Sequence, residues 1–214
     1  MIKGVAFDAG GVILLTKNTR LKTKELLREF FPNLSYKKYK KNFEYFKDLA
    51  QTIKSYSYES AVKDCLVFSG VEDKKRIKFF LKKLSKIKPE LIKNCEELFC
   101  WLKKKRIKII ILSDTHYNSS RAKNFFKSKN KKISKMIDFI ITSKDVGCKK
   151  PNKKIFSYTC KVTGLNKNEI IFVSDDIQEI RGAKNFGFKT LYFSNENKKN
   201  RDALILKSKI QKLL

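Results

Sequence analysis

The sequence lacks the features that mark disulfide-rich, zinc-binding and membrane proteins. Its five cysteines are odd in number and form no Cys-x-x-Cys pair, so we expect neither a disulfide framework nor a zinc ribbon. No apolar run is long enough to span a bilayer, and Asp8 interrupts the apolar stretch near the amino terminus. The chain also contains no internal repeat and no low-complexity linker. We therefore expect a soluble, cytoplasmic protein with reduced thiols and no membrane partner.

Acidic residues are scarce beside basic ones. The chain has 50 Lys and Arg against 21 Asp and Glu, a formal net charge of +29, which is typical of proteins that bind nucleic-acid phosphates. However, 43 of these 50 residues are lysines scattered through every segment, whereas base-reading proteins rely on the planar guanidinium of arginine. A simpler interpretation is that the lysines form the solvent-exposed faces of amphipathic helices. Binding of nucleic acid or another polyanion stays open as the less favoured interpretation, and the oligomeric state is unknown.

Periodicity divides the chain into a helical block and an alternating block. After a short buried strand at residues 3–8, the helical spacing of apolar residues predicts helices near 22–31, 36–55, 58–69 and 72–87. Beyond them, a helical segment at 90–105 and helices near 118–129, 152–163 and 177–186 alternate with short apolar runs such as "IKIIILSD" and "EIIFVSDD". This alternation predicts an α/β fold with a Rossmann-like parallel sheet. We expect residues 1–15 and 92–214 to form that core and residues 16–91 to be an all-helical insertion.

Functional side chains cluster after the predicted strands. In an open parallel sheet, ligands bind beyond the carboxyl ends of the strands. The residues found there are acids, a hydroxyl, glycines and a lysine: Asp8 with Gly10, Ser113 with Asp114, Lys150, and Asp175 with Asp176. Carboxylates suit a divalent metal, and a hydroxyl with an ammonium suits a phosphoryl group.

Four motifs, in their order along the chain, resemble those of the haloacid dehalogenase superfamily of hydrolases. The first is "GVAFDAGGV", an apolar strand ending in a nucleophilic Asp, and the second is "IIILSDT". "DVGCKKPNKKIF" supplies the lysine before a proline, and "FVSDDIQEIRGAKNFGF" supplies the acidic strand end and the helix that follows it. The resemblance covers essentially the whole chain. It implies that the helical insertion is the cap that lies over the active site.

The resemblance also implies a reaction and a metal. Asp8 would attack phosphorus and form an aspartyl-phosphate, which water then hydrolyses. Asp8, the carbonyl of Gly10 and Asp175 would bind Mg²⁺, supported by Asp176 or Glu179. The expected function is that of a Mg²⁺-dependent phosphatase acting on a small phosphorylated metabolite.

The second and third motifs would hold the substrate. Ser113, Asp114 and Lys150 would bind it, with Ser113 and Lys150 on the phosphoryl oxygens, and Lys149 is the less favoured substitute for Lys150. Asp8, Ser113 and Lys150 are accordingly the expected catalytic residues.

Gly10 departs from the family pattern. Most phosphatases of the superfamily carry there a second Asp that protonates the leaving group. The superfamily's dehalogenases carry an aromatic residue at this position, which argues against their chemistry, while the phosphonate-cleaving branch stays open. His116, the single histidine, is either a polar loop residue or a replacement proton donor. A weakly active or non-catalytic protein that binds polyanions is the alternative to the phosphatase.

Overall fold

A five-stranded parallel sheet forms the core of the protein, whose computed structural model describes residues 1–195 and 201–214. The strands, including a separate two-stranded sheet of β2 and β3, are β1 (Gly4–Phe7), β2 (Leu14–Leu15), β3 (Glu90–Leu91), β4 (Lys108–Ser113), β5 (Phe139–Thr142), β6 (Ile170–Ser174) and β7 (Lys189–Tyr192). The core order is β5-β4-β1-β6-β7, so β1 is central and pairs in parallel with β4 and β6. The predicted α/β, Rossmann-like sheet is confirmed.

Helices cover both faces of this sheet and fill the insertion. They are α1 (Lys17–Phe30), α2 (Tyr36–Thr52), α3 (Tyr58–Phe68), α4 (Lys74–Leu84), α5 (Cys95–Lys104), α6 (Ser119–Lys129), α7 (Lys131–Met136), α8 (Ser143–Val146), α9 (Lys153–Thr163), α10 (Ile177–Phe186) and α11 (Ala203–Gln211). Along β1, Val5 and Phe7 pack on one side with α5 and α11, while Ala6 packs on the other with α9 and α10. Burial on both faces explains why the core strands are continuous apolar runs.

The insertion forms its own apolar cluster. Helices α1 to α4 pack around Leu66 and Phe80, both fully buried. Ser35, Ser57 and Asp73 start α2, α3 and α4 by accepting a hydrogen bond from the backbone N–H three residues ahead. The chain leaves the core at β2 and returns at β3, which pair in antiparallel fashion beside the expected limits of the insertion. The exact division into core and cap remains a prediction.

Several elements differ from the sequence-based expectation. The helix expected from residue 90 begins at Cys95, because Glu90–Leu91 pairs with β2 and Asn94 adopts a left-handed conformation with φ 57°. Helices α7, α8 and α11 were not predicted. Helices α7 and α8 are too short for a clear period, and they begin where Asn130 and Thr142 cap them. No helix in the described part of the chain has both the length and the apolar character needed to cross a bilayer.

Candidate active site

Asp8 directly follows the central strand and ends it at the carboxyl edge of the sheet. Its backbone N–H donates to the carbonyl of Val173 at 2.8 Å, which continues the pairing of β1 with β6. The chain then turns tightly, because the Ala9 carbonyl accepts from Ile13 and Leu14. The Asp8 side chain is 14% exposed at this edge.

Lys150 reaches Asp8 from the loop between α8 and α9, and its side chain is fully buried. Its Nζ lies 2.8 Å from Oδ1 of Asp8, 3.1 Å from Oε2 of Glu179 and 3.2 Å from the Leu112 carbonyl. These three oxygens surround the ammonium. Burial acts to lower the pKa of Lys150, but the charges of Asp8 and Glu179 outweigh it and raise that pKa above its ordinary value. The lysine is therefore a fixed positive charge.

The carboxyl of Asp8 has a raised pKa of about 6. Burial is the largest cause, Lys150 opposes it, and the charges of Asp175 and Asp114 raise the pKa further. The N–H of Ala9 and the ammonium of Lys150 both donate to Oδ1, so neither uses Oδ2. An ionised carboxylate held by one oxygen is suited to nucleophilic attack with the other.

The two acids expected to support the site have different roles. Oε2 of Glu179 accepts from Lys150 and, at 2.7 Å, from the hydroxyl of Ser174, and burial raises the pKa of Glu179. Asp176 instead caps α10, since its Oδ1 accepts from the backbone N–H of Gln178 at 2.7 Å. Glu179 thus belongs to the cluster around Lys150, whereas Asp176 fixes the start of a helix.

Asp175 lies against the turn that follows Asp8. A Cβ on Gly11 would be 1.9 Å from Oδ2 of Asp175, and Gly11 has φ 76°. Both facts require glycine at this position. Gly10 does not have a positive φ, and a Cβ there would meet only Thr16 at 3.4 Å. Of the two glycines, Gly11 is the one that makes room for the second carboxylate.

The expected Mg²⁺ ligands fit a hard divalent cation. Asp8 and Asp175 are near enough for the charge of Asp175 to raise the pKa of Asp8. Within residues 1–195 and 201–214, no three acidic, histidine or cysteine side chains form a complete metal site. The expected set requires only two carboxylates and the Gly10 carbonyl, and its donors are all oxygens, as Mg²⁺ prefers.

Ser113 and Asp114 end β4 at the same edge. Ser113 is the last residue of β4, pairs with Thr142 of β5 and is 9% exposed. Oδ1 of Asp114 accepts the backbone N–H of Lys150 at 3.2 Å, and burial raises the pKa of Asp114. The structure therefore brings the second and third motifs together beside Asp8.

Lys149 points to a different partner from Lys150. Its ammonium pairs with Asp48 of α2 in the insertion. This pair links the insertion to the core, and Lys150 alone of the two lysines holds Asp8.

His116 packs between the insertion and the core. Its ring stacks on Tyr58 of α3, with centroids 4.1 Å apart, and meets the edge of Tyr117. Burial lowers the pKa of His116 to about 3, helped by the charges of Arg121 and Lys144. A ring that is neutral near pH 7 has no imidazolium proton to give, so the geometry favours a packing role over that of proton donor.

Sequence reasoning missed Lys144 of α8, which holds the end of α2. The residue is 7% exposed, and its Nζ donates to the carbonyls of Ala50 at 2.8 Å, Tyr56 at 2.6 Å and Ile53. Helix carbonyls at a carboxyl end lack partners within the helix, and a lysine satisfies them. Nothing in a chain with 43 lysines singles this one out.

Asn195 is a second residue that was missed. Its backbone N–H donates to Gly11, and its Nδ2 donates to the carbonyls of Val12 and Leu14, all within 3.1 Å. These bonds fix the turn after Asp8. Asn195 follows β7, so a search of every strand end, including this last one, would have found it.

The protein is Rossmann-like, with a parallel α/β core and a helical insertion. A buried Asp–Lys pair lies at the carboxyl edge of its sheet, where proteins of this fold class bind their ligands. The chain belongs to the haloacid dehalogenase-like hydrolase family, whose profile matches residues 5–193. The resemblance found in the four motifs is thereby confirmed at the level of the superfamily.

Curated relatives match a shorter stretch. The (S)-2-haloacid dehalogenase 4A of Burkholderia cepacia is 31% identical over 68 residues, which is 32% of this chain and 29% of the relative. The (S)-2-haloacid dehalogenase of Pseudomonas putida matches at 31% over 68 residues and 30% of its length. The chain thus matches less than a third of these relatives' length.

Solved structures of similar fold cover most of the chain. The L-2-haloacid dehalogenase from Xanthobacter autotrophicus with chloropropionic acid covalently bound has a TM-score of 0.63 at 19% identity, covering 89% of this chain and 76% of that one. The 2-haloacid dehalogenase from Pseudomonas syringae pv. Tomato DC3000 has a TM-score of 0.69 at 12% identity, covering 99% and 100%. At these identities the likeness shows the fold.

Proposed function

We propose that this protein is a Mg²⁺-dependent phosphatase that hydrolyses a small phosphorylated compound through an aspartyl-phosphate on Asp8. The observation that carries the proposal is an imbalance of charge. The carboxyls of Asp8, Asp114 and Glu179 interact with the buried ammonium of Lys150, and the charge of Asp175 acts on Asp8 as well. Buried carboxylates in such excess favour a divalent cation, which balances their charge.

The metal would be held by Asp8, Asp175 and the carbonyl of Gly10. When bound, Mg²⁺ would supply positive charge to the phosphoryl oxygens. Lys150 and Ser113 lie at the same edge of the sheet and supply further donors to those oxygens.

The reaction then needs two displacements at phosphorus. Oδ2 of Asp8 attacks, and the bond between phosphorus and the oxygen of the leaving group breaks. That oxygen takes its proton from solvent, because Gly10 has no side chain to donate one. Water next attacks the phosphorus of the aspartyl-phosphate, which releases inorganic phosphate and restores the Asp8 carboxylate.

Release of phosphate from para-nitrophenyl phosphate tests this function. We expect turnover with MgCl₂, loss of turnover with a chelator, and none in Asp8→Asn. Full activity in the chelator would contradict the metal, and activity in Asp8→Asn would contradict the nucleophile.

Dehalogenation is a second candidate, and the named relatives and structural neighbours favour it. Such an enzyme acts on a haloacid, whose own carboxylate would enter a site that already has an excess of carboxylates around Asp8. Chloride release from (S)-2-chloropropionate, measured without metal beside the phosphate assay, decides between the two reactions.

For the alternative function, polyanion binding, we propose one candidate surface. A groove between α1 and α4 is lined by basic side chains and by Phe79, which is 63% exposed. Glu29 and Asp73 also line it, so the groove is not uniformly positive. We expect nucleic-acid binding there to be weak, insensitive to sequence and lost at physiological salt. Tight, sequence-selective binding at that salt would make this the leading function.

A further inference from the structure

The side-chain amide of Gln51, near the end of α2, has a partner for only one of its two polar atoms. Its Nε2 donates to the backbone carbonyl of Asp114 at 3.2 Å. Its Oε1 accepts from no donor within residues 1–195 and 201–214, although Gln51 is only 7% exposed. A buried polar atom without a partner is costly, so this oxygen points to a missing donor.

The partner of Nε2 determines which amide atom is left over. A backbone carbonyl only accepts hydrogen bonds, so only the NH₂ end of the amide fits against Asp114. Reversing the amide of Gln51 would place two acceptors against each other. The atom without a partner is therefore an acceptor.

Asp114 connects this acceptor to the active site. Its backbone carbonyl receives Gln51, its Oδ1 receives the N–H of Lys150 at 3.2 Å, and Lys150 holds Asp8 at 2.8 Å. Both amide atoms of Gln51 are bonded to one carbon, so Oε1 also lies close to Asp114. The insertion thus places a free acceptor beside the residue that follows Ser113.

The backbone around Gln51 is held in place. Lys144 donates to the carbonyl of Ala50, the preceding residue, at 2.8 Å, and also to the carbonyl of Ile53. The adjacent turn of α2 is tied down as well, since Asp48 pairs with Lys149. With α2 fixed at these points and Nε2 bonded to the Asp114 carbonyl, the position of Oε1 is defined by both the backbone and the amide.

We infer that Gln51 determines specificity: its Oε1 accepts a hydrogen bond from a hydroxyl on the leaving group of the substrate. This inference rests on the proposed phosphatase function. A neutral hydroxyl fits better than an ammonium, because Lys144 and Lys149 already place positive charges at this end of α2. An ester without the hydroxyl would leave Oε1 buried and unpaired, and sites built for a hydroxyl reject such analogues strongly.

Two phosphate esters of similar size test the inference: 2-hydroxyethyl phosphate and propyl phosphate, in which a methyl replaces the hydroxyl. Calorimetry measures their binding in the Asp8→Asn protein, which cannot turn them over, and kcat/KM is measured with Asp8 present. We expect a preference of about 10-fold or more for the hydroxylated ester in both measurements. Adding Gln51→Met should bring the ratio close to one.

Two control variants separate the acceptor from the contact with Asp114. Gln51→Glu keeps an acceptor but sets an oxygen against the Asp114 carbonyl, which should weaken the binding of both esters alike, so the ratio should still favour the hydroxylated ester. Asp48→Asn weakens the nearby link to Lys149 without touching Gln51 and should leave the ratio unchanged. A purely structural role of Gln51 would instead give Gln51→Glu and Gln51→Met the same effect.

The outcomes distinguish this inference from the proposed function. Equal affinity for the two esters, no affinity for either, or a preference that survives Gln51→Met overturns the role of Gln51. A preference in binding that depends on Gln51, found in a protein that releases no phosphate from any ester, supports the role of Gln51 and overturns the phosphatase.

Discussion

The ammonium of Lys150 lies 2.8 Å from Oδ1 of Asp8, although 142 positions separate the two residues in the sequence. The contact exists because β1 is the central strand and the chain returns to the same sheet edge after β5 and α8. The two charges stabilise each other in a place where the lysine is fully buried and the carboxylate largely so. If one of the two charges is removed, the other stays buried without this partner, which is strongly destabilising.

Lys150→Met should therefore lower the free energy of unfolding by about 3–5 kcal/mol near neutral pH. Burial raises the pKa of Asp8 and of Glu179, so the folded variant takes up protons more readily than the unfolded chain. The loss should shrink as the pH falls towards 5. Urea denaturation at both pH values measures it.

The matched control for this variant is Lys149→Met. Lys149 is partly exposed and pairs with the exposed Asp48, so its loss should cost less than about 1 kcal/mol. An equal decrease in the free energy of unfolding in the two lysine variants would show that the buried pair contributes no more to stability than the exposed pair.

Asp175→Asn should remove the response of the protein to Mg²⁺. The native protein should melt at a higher temperature as MgCl₂ is added, because a ligand that binds only the folded state stabilises it. An amide in place of the Asp175 carboxylate removes a charged ligand, so the affinity for Mg²⁺ should fall by more than about 100-fold. Thermal melting across a MgCl₂ titration measures both. An unchanged shift in the variant would show that Asp175 does not bind the metal.

His116 should make the folded state less stable in acid. Its pKa is about 3 in the folded protein against an ordinary 6.5, so the unfolded chain binds the proton more tightly. The contribution of the neutral ring is complete above pH 6.5 and is lost as the pH falls towards 3. The slope from this residue is at most about 1.4 kcal/mol per pH unit.

His116→Phe provides the comparison, because phenylalanine can still stack on Tyr58 but does not titrate. The free energy of unfolding, measured by denaturant from pH 7 to 4, should fall less steeply in the variant than in the native protein. Parallel curves would contradict a buried, neutral His116.

The sheet was predictable because its strands carry a local signal. Runs such as residues 108–113 and 170–174 are buried on both faces. Burial on both faces requires a nearly continuous apolar run, which can be recognised without knowledge of the rest of the chain. The four motifs likewise placed Asp8, Ser113, Lys150 and Asp175 at one edge, because parallel strands end together.

The contacts between the insertion and the core were not predictable in this way. Gln51 bonds a residue 63 positions away, and Lys144 bonds carbonyls more than 85 positions away. Neither residue type differs from its surroundings in the sequence, and both act through backbone carbonyls, which every residue has. Glycine roles were also ambiguous in the sequence, because only the φ angle and the approach of Asp175 show that Gly11 rather than Gly10 must lack a side chain.

Gly10→Asp should restore the proton donor that the native sequence lacks. Gly10 has no positive φ, and its Cβ would meet only Thr16 at 3.4 Å, so the side chain can be accommodated. A general acid contributes about 10²–10⁴ to the rate, and its effect is greatest for leaving groups that depart poorly without a proton. Hydrolysis of an alkyl phosphate should therefore speed up far more than that of an aryl phosphate.

Gly11→Asp is the matched control, because it adds the same carboxylate one position later, where φ is 76° and a Cβ would lie 1.9 Å from Asp175. It should lose activity towards both esters. In the native protein, an aryl phosphate should give a burst of product before the steady state, because no acid–base group assists water at the second displacement. Gly10→Asp should shrink that burst. If native rates are independent of the leaving group's pKa, another residue already donates the proton and the explanation based on Gly10 is wrong.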